Sequence, residues 1–189
     1  MIRLISKRNR VYLDPDHDPP IVRKYFSEEA DCVRELQMYA HLSGCVPIPR
    51  LLESGQLYMA AEYLPYQNYL DVLEQQEQSG LSIQPWEQLL QWLKNCWQCA
   101  GVLPSDGNLR NFLWNEEGNE TCGVDFEEYR SRSFHECAAD FWVQLRDYDP
   151  QGTQIKLELL RYWRQQTGIS EDDIKKAYSR LIAKRKRFS

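Results

Sequence analysis

The chain has 189 residues, of which 42% are hydrophobic and 27% charged, as in a globular protein of one domain or one two-lobed unit. Its net charge of −5 excludes a general electrostatic match to nucleic acid or to an anionic membrane. We interpret the one basic block, Lys184–Arg187, as the solvated end of a helix. The sequence contains no recognisable signal peptide and no apolar run near the ~20 residues that span a bilayer, so we predict a cytoplasmic protein.

The first third of the chain predicts short strands and a single helix. Its β-leaning runs cover residues 2–5, 11–13, 21–26, 51–52 and 57–63. Ser27 is the predicted N-cap of a helix that extends to about Leu42, because acidic residues fill the turn after it. Two prolines then predict an extended segment, Val46-Pro47-Ile48-Pro49.

From Leu64 onward the apolar pattern becomes helical. The predicted helices cover 68–78, 85–102, 135–147, 154–167 and 170–186, and the predicted strands 112–115 and 121–126. This order predicts a two-lobed α+β protein. Residues 1–63 would form an N-lobe with a small antiparallel sheet and one helix, and residues 64–189 a mainly helical C-lobe.

Six cysteines are present: Cys32, Cys45, Cys96, Cys99, Cys122 and Cys137. In a cytoplasmic protein we expect most of them to be reduced and buried as small hydrophobic side chains. Cys96 and Cys99 form a CxxC motif, but it lies within a helical pattern and lacks a second cysteine pair or a histidine pair. The motif therefore does not favour a zinc site or a thioredoxin-like site.

Two charged residues of the first third are predicted to form an inward-facing pair. Strand alternation places Lys24 beside Val22, so the ammonium needs a partner or an anionic ligand. Glu35 lies on the apolar face of the first helix and also needs a countercharge. We favour a Lys24–Glu35 ion pair; the alternative is that Glu35 turns outward to Arg34 or to solvent.

Three polar residues of the second part have the spacing of a phosphoryl-transfer site. Asp106 lies in an irregular loop, Asn111 follows five positions later, and Asp125 ends a β-leaning run. A carboxylate at a strand end is a hard oxygen ligand of the kind that Mg²⁺ prefers. Asp and Asn are also common in ordinary turns, so a plain turn stays open as the interpretation of Asp106 and Asn111.

Taken together, these residues resemble the protein-kinase-like superfamily, and the likeness is closest to aminoglycoside phosphotransferases and choline kinases. The resemblance covers nearly the whole chain. It implies a protein-kinase-like fold in which Asp106 is catalytic and Asn111 and Asp125 bind Mg²⁺. By the same resemblance, the nucleotide-binding residues are Lys24, Glu35 and the hinge Glu62, Tyr63 and Leu64. Asp140 is similar to the helix Asp that braces the catalytic loop from beneath.

Three departures from the family pattern accompany this resemblance. Pro104 occupies the position of the usual His before the catalytic Asp, and Glu127 the position of a Gly. The loop Ser6-Lys7-Arg8-Asn9-Arg10, which would cover the phosphates, contains no glycine. Its Lys7, Arg8 or Arg10 would then have to supply charge in place of a backbone cradle.

The sequence leaves three hypotheses for function. The first is an ATP-dependent phosphotransferase that moves the γ-phosphoryl group to a hydroxyl of a small molecule or protein, with ATP and Mg²⁺ as cofactors. The second is a pseudokinase that acts as a nucleotide-binding or protein-interaction scaffold, with a protein partner. The third is a helical protein in which the motifs are coincidental. None of them involves nucleic acid or a membrane span.

Overall fold

A computed structural model of this α+β protein describes residues 1–4, 6, 9–105, 107–150 and 152–187. Asp106, the predicted catalytic residue, lies outside the described residues, as do Lys7 and Arg8. Among the described helices, none combines the length and the apolar character that crossing a bilayer requires.

The N-terminal part forms a five-stranded antiparallel sheet. Its strands are β1 (Ile2–Leu4), β2 (Arg10–Asp14), β3 (Ile21–Tyr25), β4 (Leu51–Ser54) and β5 (Tyr58–Glu62). They lie in the order β1-β2-β3-β5-β4, so β3 is the central strand. All five predicted strands are confirmed with small shifts at their ends. The predicted extension of the last one to Tyr63 is wrong by one residue.

One helix, α1 (Glu29–Leu42), follows β3 as predicted, but its predicted N-cap is wrong. The chain stays extended through Glu28, which takes the N-cap position without a side-chain hydrogen bond, so Ser27 lies one residue too early. The predicted inner face is confirmed, since Cys32, Glu35, Tyr39 and Leu42 are buried. This amphipathic spacing directs the Glu35 carboxylate toward the sheet.

The remainder of the described chain is mainly helical, as predicted. Its helices are α2 (Tyr69–Ser79), α3 (Gln84–Ala100), α4 (Phe134–Asp147), α5 (Gln154–Thr167) and α6 (Glu171–Arg187). Its strands are β6 (Gln67–Asn68), β7 (Leu103–Pro104), β8 (Phe112–Asn115), β9 (Glu120–Gly123) and β10 (Tyr129–Arg130). The β8–β9 hairpin also pairs with β6, while β7 pairs with β10. The three two-residue strands are too short to produce a recognisable sequence pattern.

The strand that leads to Asp125 is shorter than predicted. Strand β9 ends at Gly123, and Asp125 has a left-handed backbone with φ of 61°. Asp tolerates this conformation better than most residues, because its short polar side chain can hydrogen-bond locally. The prediction of a strand through Phe126 is therefore wrong in its last three residues.

The segment around Pro47 joins the N-terminal sheet to the helical part. The Pro47 carbonyl accepts hydrogen bonds from the Gly123 N–H at 3.1 Å and from the Trp92 indole at 2.9 Å. A side chain at Gly123 would place its Cβ 2.5 Å from the Trp92 ring, so only glycine fits there. Across the same junction, the Tyr39 and Phe126 rings pack edge to face at 4.9 Å. The core thus continues from α1 through β9 to α3.

The cysteine prediction is confirmed for four residues and wrong for two. Cys32, Cys96, Cys122 and Cys137 are free and buried, as expected for small hydrophobic side chains. The other two, Cys45 and Cys99, form a disulfide across 54 residues of sequence. The packing of α1 against α3 brings these two together, and no local spacing in the sequence indicates it.

Candidate functional site

Lys24 lies at the centre of a cluster of three carboxylates. Its Nζ is 2.6 Å from Glu35 Oε2, 2.6 Å from Asp125 Oδ1 and 2.8 Å from Glu127 Oε1. The Glu35 side chain is 3% exposed and that of Glu127 10%, whereas that of Asp125 is 52% exposed. The cluster therefore has a buried wall and one side that is open to solvent.

Three separate elements bring these charges together. Lys24 is on the central strand β3, Glu35 on α1, and Asp125 follows β9. The predicted Lys24–Glu35 ion pair is present in the structure. Arg34, the alternative partner of Glu35, instead contacts Asp31 on its own helix.

The excess of negative charge changes the acid–base behaviour of the cluster. Burial acts to lower the pKa of Lys24, but the charges of Glu35, Asp125 and Glu127 outweigh it and raise that pKa. Burial raises the pKa of Glu35 to about 7, because Lys24 offsets only part of the loss of hydration. The negative charges of Asp125 and Glu127 contribute to this raised pKa of Glu35, since like charges oppose ionisation. Lys24 is thus a permanent cation, and Glu35 is the carboxyl that takes up a proton near neutral pH.

We expect stability to depend on pH through Glu35. Its pKa is higher in the folded protein than the ordinary value of 4.5, so the folded state binds the proton more tightly. The free energy of unfolding should therefore fall as pH rises from about 4.5 to about 7, by roughly 1–3 kcal/mol. Urea titrations of wild type and Glu35→Gln across this range should diverge accordingly. If the free energies of unfolding of the two proteins changed in parallel with pH, the assignment of this pH dependence to Glu35 would be wrong, because all other groups titrate in both proteins.

Asn9 and Glu127 also belong to this site. The Asn9 amide nitrogen donates a hydrogen bond to Glu127 Oε1. Asn9 is 7% exposed, and its side-chain oxygen has no hydrogen-bond partner within the described residues. Sequence reasoning treated Glu127 only as a replacement for Gly, although its position two residues after Asp125 was a signal. Nothing in the sequence singled out Asn9.

Asn111 lies next to the backbone that leads to Asp125. It ends a 3₁₀ turn, Leu109–Asn111, and its carbonyl accepts a hydrogen bond from the Val124 N–H at 2.9 Å. Its side-chain oxygen accepts one from the Asn108 amide at 3.1 Å. The hydrogen bond to Val124 thus places Asn111 beside the residue that precedes Asp125, and among the described residues its side chain bonds to Asn108 rather than to the Lys24 cluster.

Asp140 is held by two arginines, one of which also contacts Pro104 at the start of the predicted catalytic loop. Arg132 donates from Nη2 to Asp140 at 2.6 Å and from Nη1 to the Pro104 carbonyl at 2.9 Å. Arg180 of α6 donates to the other Asp140 oxygen at 2.7 Å. Asp140 therefore acts on the start of this loop through Arg132. Neither arginine was predicted, because Arg180 lies 40 residues beyond Asp140 in sequence and Arg132 lies in an irregular segment before α4.

Gly107, the residue after Asp106 in the sequence, packs directly on the backbone of α4. A Cβ at Gly107 would lie 2.6 Å from Phe141 Cα and 2.9 Å from the Asp140 carbonyl oxygen. These are backbone atoms that cannot rotate away. The absence of a side chain at Gly107 therefore sets how closely the loop approaches the helix.

Gly107→Ala is expected to destabilise the protein by about 1–3 kcal/mol, because the added methyl group forces the loop away from α4. The measurement is the urea midpoint of the variant against that of wild type. Gly118→Ala is the matched control, since its methyl group meets only the side chains of Asn115 and Glu120 in an exposed turn. Equal midpoints for the two variants would contradict this packing role.

The predicted hinge residues lie at the end of β5, which pairs with both β3 and β4. The Glu62 N–H donates to the Arg50 carbonyl and the Tyr63 N–H to the Pro20 carbonyl, each at 2.9 Å. These two donors are thus used within the protein. Backbone recognition of an adenine ring at this position would fall to the Glu62 carbonyl and to Leu64.

The donor set of the cluster fits a hard divalent cation. Glu35, Asp125 and Glu127 offer carboxylate oxygens that lie within 4.8 Å of one another. Mg²⁺ binds through one or two carboxylates together with substrate phosphates. The partly exposed Asp125 provides the approach from solvent.

Comparison of the chain with protein-family models finds no match, and a search of curated proteins also finds none.

Proposed function

We propose that this protein binds a Mg²⁺–nucleotide complex and transfers its γ-phosphoryl group to a hydroxyl acceptor. The single observation that carries the proposal is the meeting of Lys24, Glu35 and Asp125 from three separate elements. A lysine held by a helix glutamate beside a metal-binding aspartate is the arrangement that orients nucleotide phosphates in kinases. In this proposal, residues 1–63 and 64–189 are the two lobes of a protein-kinase-like fold in the cytoplasm.

Each residue has a defined task in this proposal. Asp125 and Asn111 hold Mg²⁺, which neutralises charge on the phosphates when it is bound. Glu35 keeps the Lys24 ammonium fixed, so that it meets the phosphates without reorganisation. Glu62, Tyr63 and Leu64 line the adenine end of the site. Asp140 positions the loop of Asp106 through Arg132.

Phosphoryl transfer itself is assigned to Asp106, which would accept the proton of the acceptor hydroxyl as the oxygen attacks the γ-phosphorus. We expect slow Mg²⁺-dependent conversion of ATP to ADP by the wild type, and at least a hundredfold loss in Asp106→Asn. The measurement is ADP release in a coupled assay. Asp172→Asn, on the surface of α6, is the control. Turnover that survives Asp106→Asn would contradict the catalytic role.

A nucleotide-binding scaffold without transfer activity is the second candidate function. The observation that favours it is that Lys24 contacts Glu127 as well as Asp125 and Glu35, so its ammonium is already surrounded by acceptors. A protein partner would then bind the nucleotide-bound form of the protein. Nucleotide binding without turnover in the ADP assay would select this function over the first.

A further inference from the structure

The Cys45–Cys99 disulfide fastens α1 to α3. Cys45 lies in the turn that follows α1, Cys99 lies in the last turn of α3, and their Cα atoms are 5.6 Å apart. At the same junction, the His41 ring nitrogen Nε2 lies 2.7 Å from the Ala100 carbonyl oxygen. The bridge therefore adds a covalent link, besides the main chain, between the N-terminal part and the helical part.

Each end of the disulfide connects to one side of the Lys24 cluster. Helix α1 carries Glu35, seven residues or about 10 Å of helix before Leu42, the last helical residue, and Cys45 follows three residues later. Helix α3 packs its Trp92 against Gly123, and the chain continues from there to Asp125. Because helices transmit displacement along their axes, the disulfide limits how far Glu35 moves relative to Asp125.

Both residues of the bridge are more exposed than Cys96, the other cysteine of the CxxC motif. Cys99 is exposed and Cys45 is half-buried, so a small reductant can reach the bridge. Cys96 is buried, and its thiol donates to the Val102 carbonyl at 3.1 Å. Burial also raises the pKa of Cys96 to about 12, so it is a poor competitor for either sulfur at neutral pH.

We infer that the Cys45–Cys99 disulfide is a reversible thiol switch that controls the mobility of α1. A dithiol reductant attacks the sulfur of the exposed residue Cys99, the Sγ–Sγ bond breaks, and Cys45 leaves as a thiolate and is then protonated. The second thiol of the reductant then displaces Cys99, and the reductant leaves as its own disulfide. Two electrons and two protons have moved to the protein. In a reducing compartment an exposed bridge is open to this exchange.

The test begins with the folded protein and the dithiol dithiothreitol. Native reduction followed by alkylation and mass spectrometry should label Cys45 and Cys99 and leave Cys96 unlabelled. Hydrogen exchange of the α1 amides should then become roughly tenfold faster in reduced wild type and in Cys45→Ser. Cys96→Ser is the matched control, since its hydroxyl can still donate to the Val102 carbonyl, and its α1 should exchange as in oxidised wild type.

Two results would overturn the inference: a bridge that is reduced only after denaturation, or α1 exchange that is unchanged by reduction. A further experiment, which rests on the proposed function, uses calorimetry to compare the Mg²⁺–ATP affinity of the protein with the bridge oxidised and with the bridge reduced. A weaker affinity after reduction, by about tenfold, is expected from the looser position of Glu35. Equal affinities would overturn control of the site by the switch. The absence of nucleotide binding in both states would instead refute the proposed function, while the exchange data decide the switch.

Discussion

Asp125→Asn is expected to lower the affinity for Mg²⁺–ATP by roughly a hundredfold or more, to the level of ATP without the metal. Asn is the suitable replacement because it also tolerates the left-handed backbone, which has φ of 61° at this position. Its amide oxygen can still accept the hydrogen bond from Lys24. The substitution therefore removes one negative charge from the metal site and leaves the local geometry in place.

Calorimetric titration of Mg²⁺–ATP and of metal-free ATP measures this effect on both proteins. The two affinities should be well separated in wild type and should coincide in Asp125→Asn. Asp172→Asn carries the same chemical change on an exposed turn of α6 and should behave as wild type. If Asp125→Asn kept the full difference between its affinities for Mg²⁺–ATP and for metal-free ATP, the assignment of Asp125 as a metal ligand would be wrong.

Lys24→Met is expected to have the largest effect on stability, a loss of about 3 kcal/mol at pH 7. The variant leaves the buried carboxylates of Glu35 and Glu127 without a countercharge, whereas Asp125 can be hydrated from solvent. Without Lys24 the pKa of Glu35 rises further, so Glu35 becomes neutral by taking up a proton. The loss of stability should therefore shrink as the pH falls toward 5.

A double-mutant cycle separates this effect from the loss of packing by the lysine stem. Lys24→Met combined with Glu35→Gln should be more stable than Lys24→Met alone at pH 7, because Gln has no charge whose burial or neutralisation costs free energy. The free energies come from urea unfolding, with Lys176→Met on exposed α6 as the control. Additive losses in the cycle would show that Lys24 and Glu35 do not interact.

The order of strands and helices could be predicted well from the sequence, because apolar periodicity determines it. The prediction for α5, Gln154–Thr167, agrees at both ends, since Thr153 caps its start and Gly168 adopts the left-handed conformation after its end. The predictions are wrong where one residue changes the path of the chain. Glu28 extends the strand-like backbone by one residue before α1, and the left-handed Asp125 removes three residues from a predicted strand.

The candidate site was predictable only where a charge lies on an apolar face. Lys24 and Glu35 could be paired from sequence, because each would otherwise be a buried unpaired charge. Asn9 and Arg180 could not be predicted, since their partners lie 118 and 40 residues away in sequence. Arg132 lies between β10 and α4, in a segment without the periodicity that would assign its side chain a direction. The Cys45–Cys99 bridge has the same origin, because a separation of 54 residues carries no pairing information without the fold.

The central claim is that the Lys24–Glu35–Asp125 cluster is a Mg²⁺-dependent nucleotide site. A thermal-shift titration of the wild-type protein with ATP, with and without Mg²⁺, tests it most directly. A ligand that binds only the folded state raises the melting temperature in proportion to its occupancy. We predict a rise with millimolar ATP that requires Mg²⁺. An unchanged melting temperature under both conditions would contradict the claim.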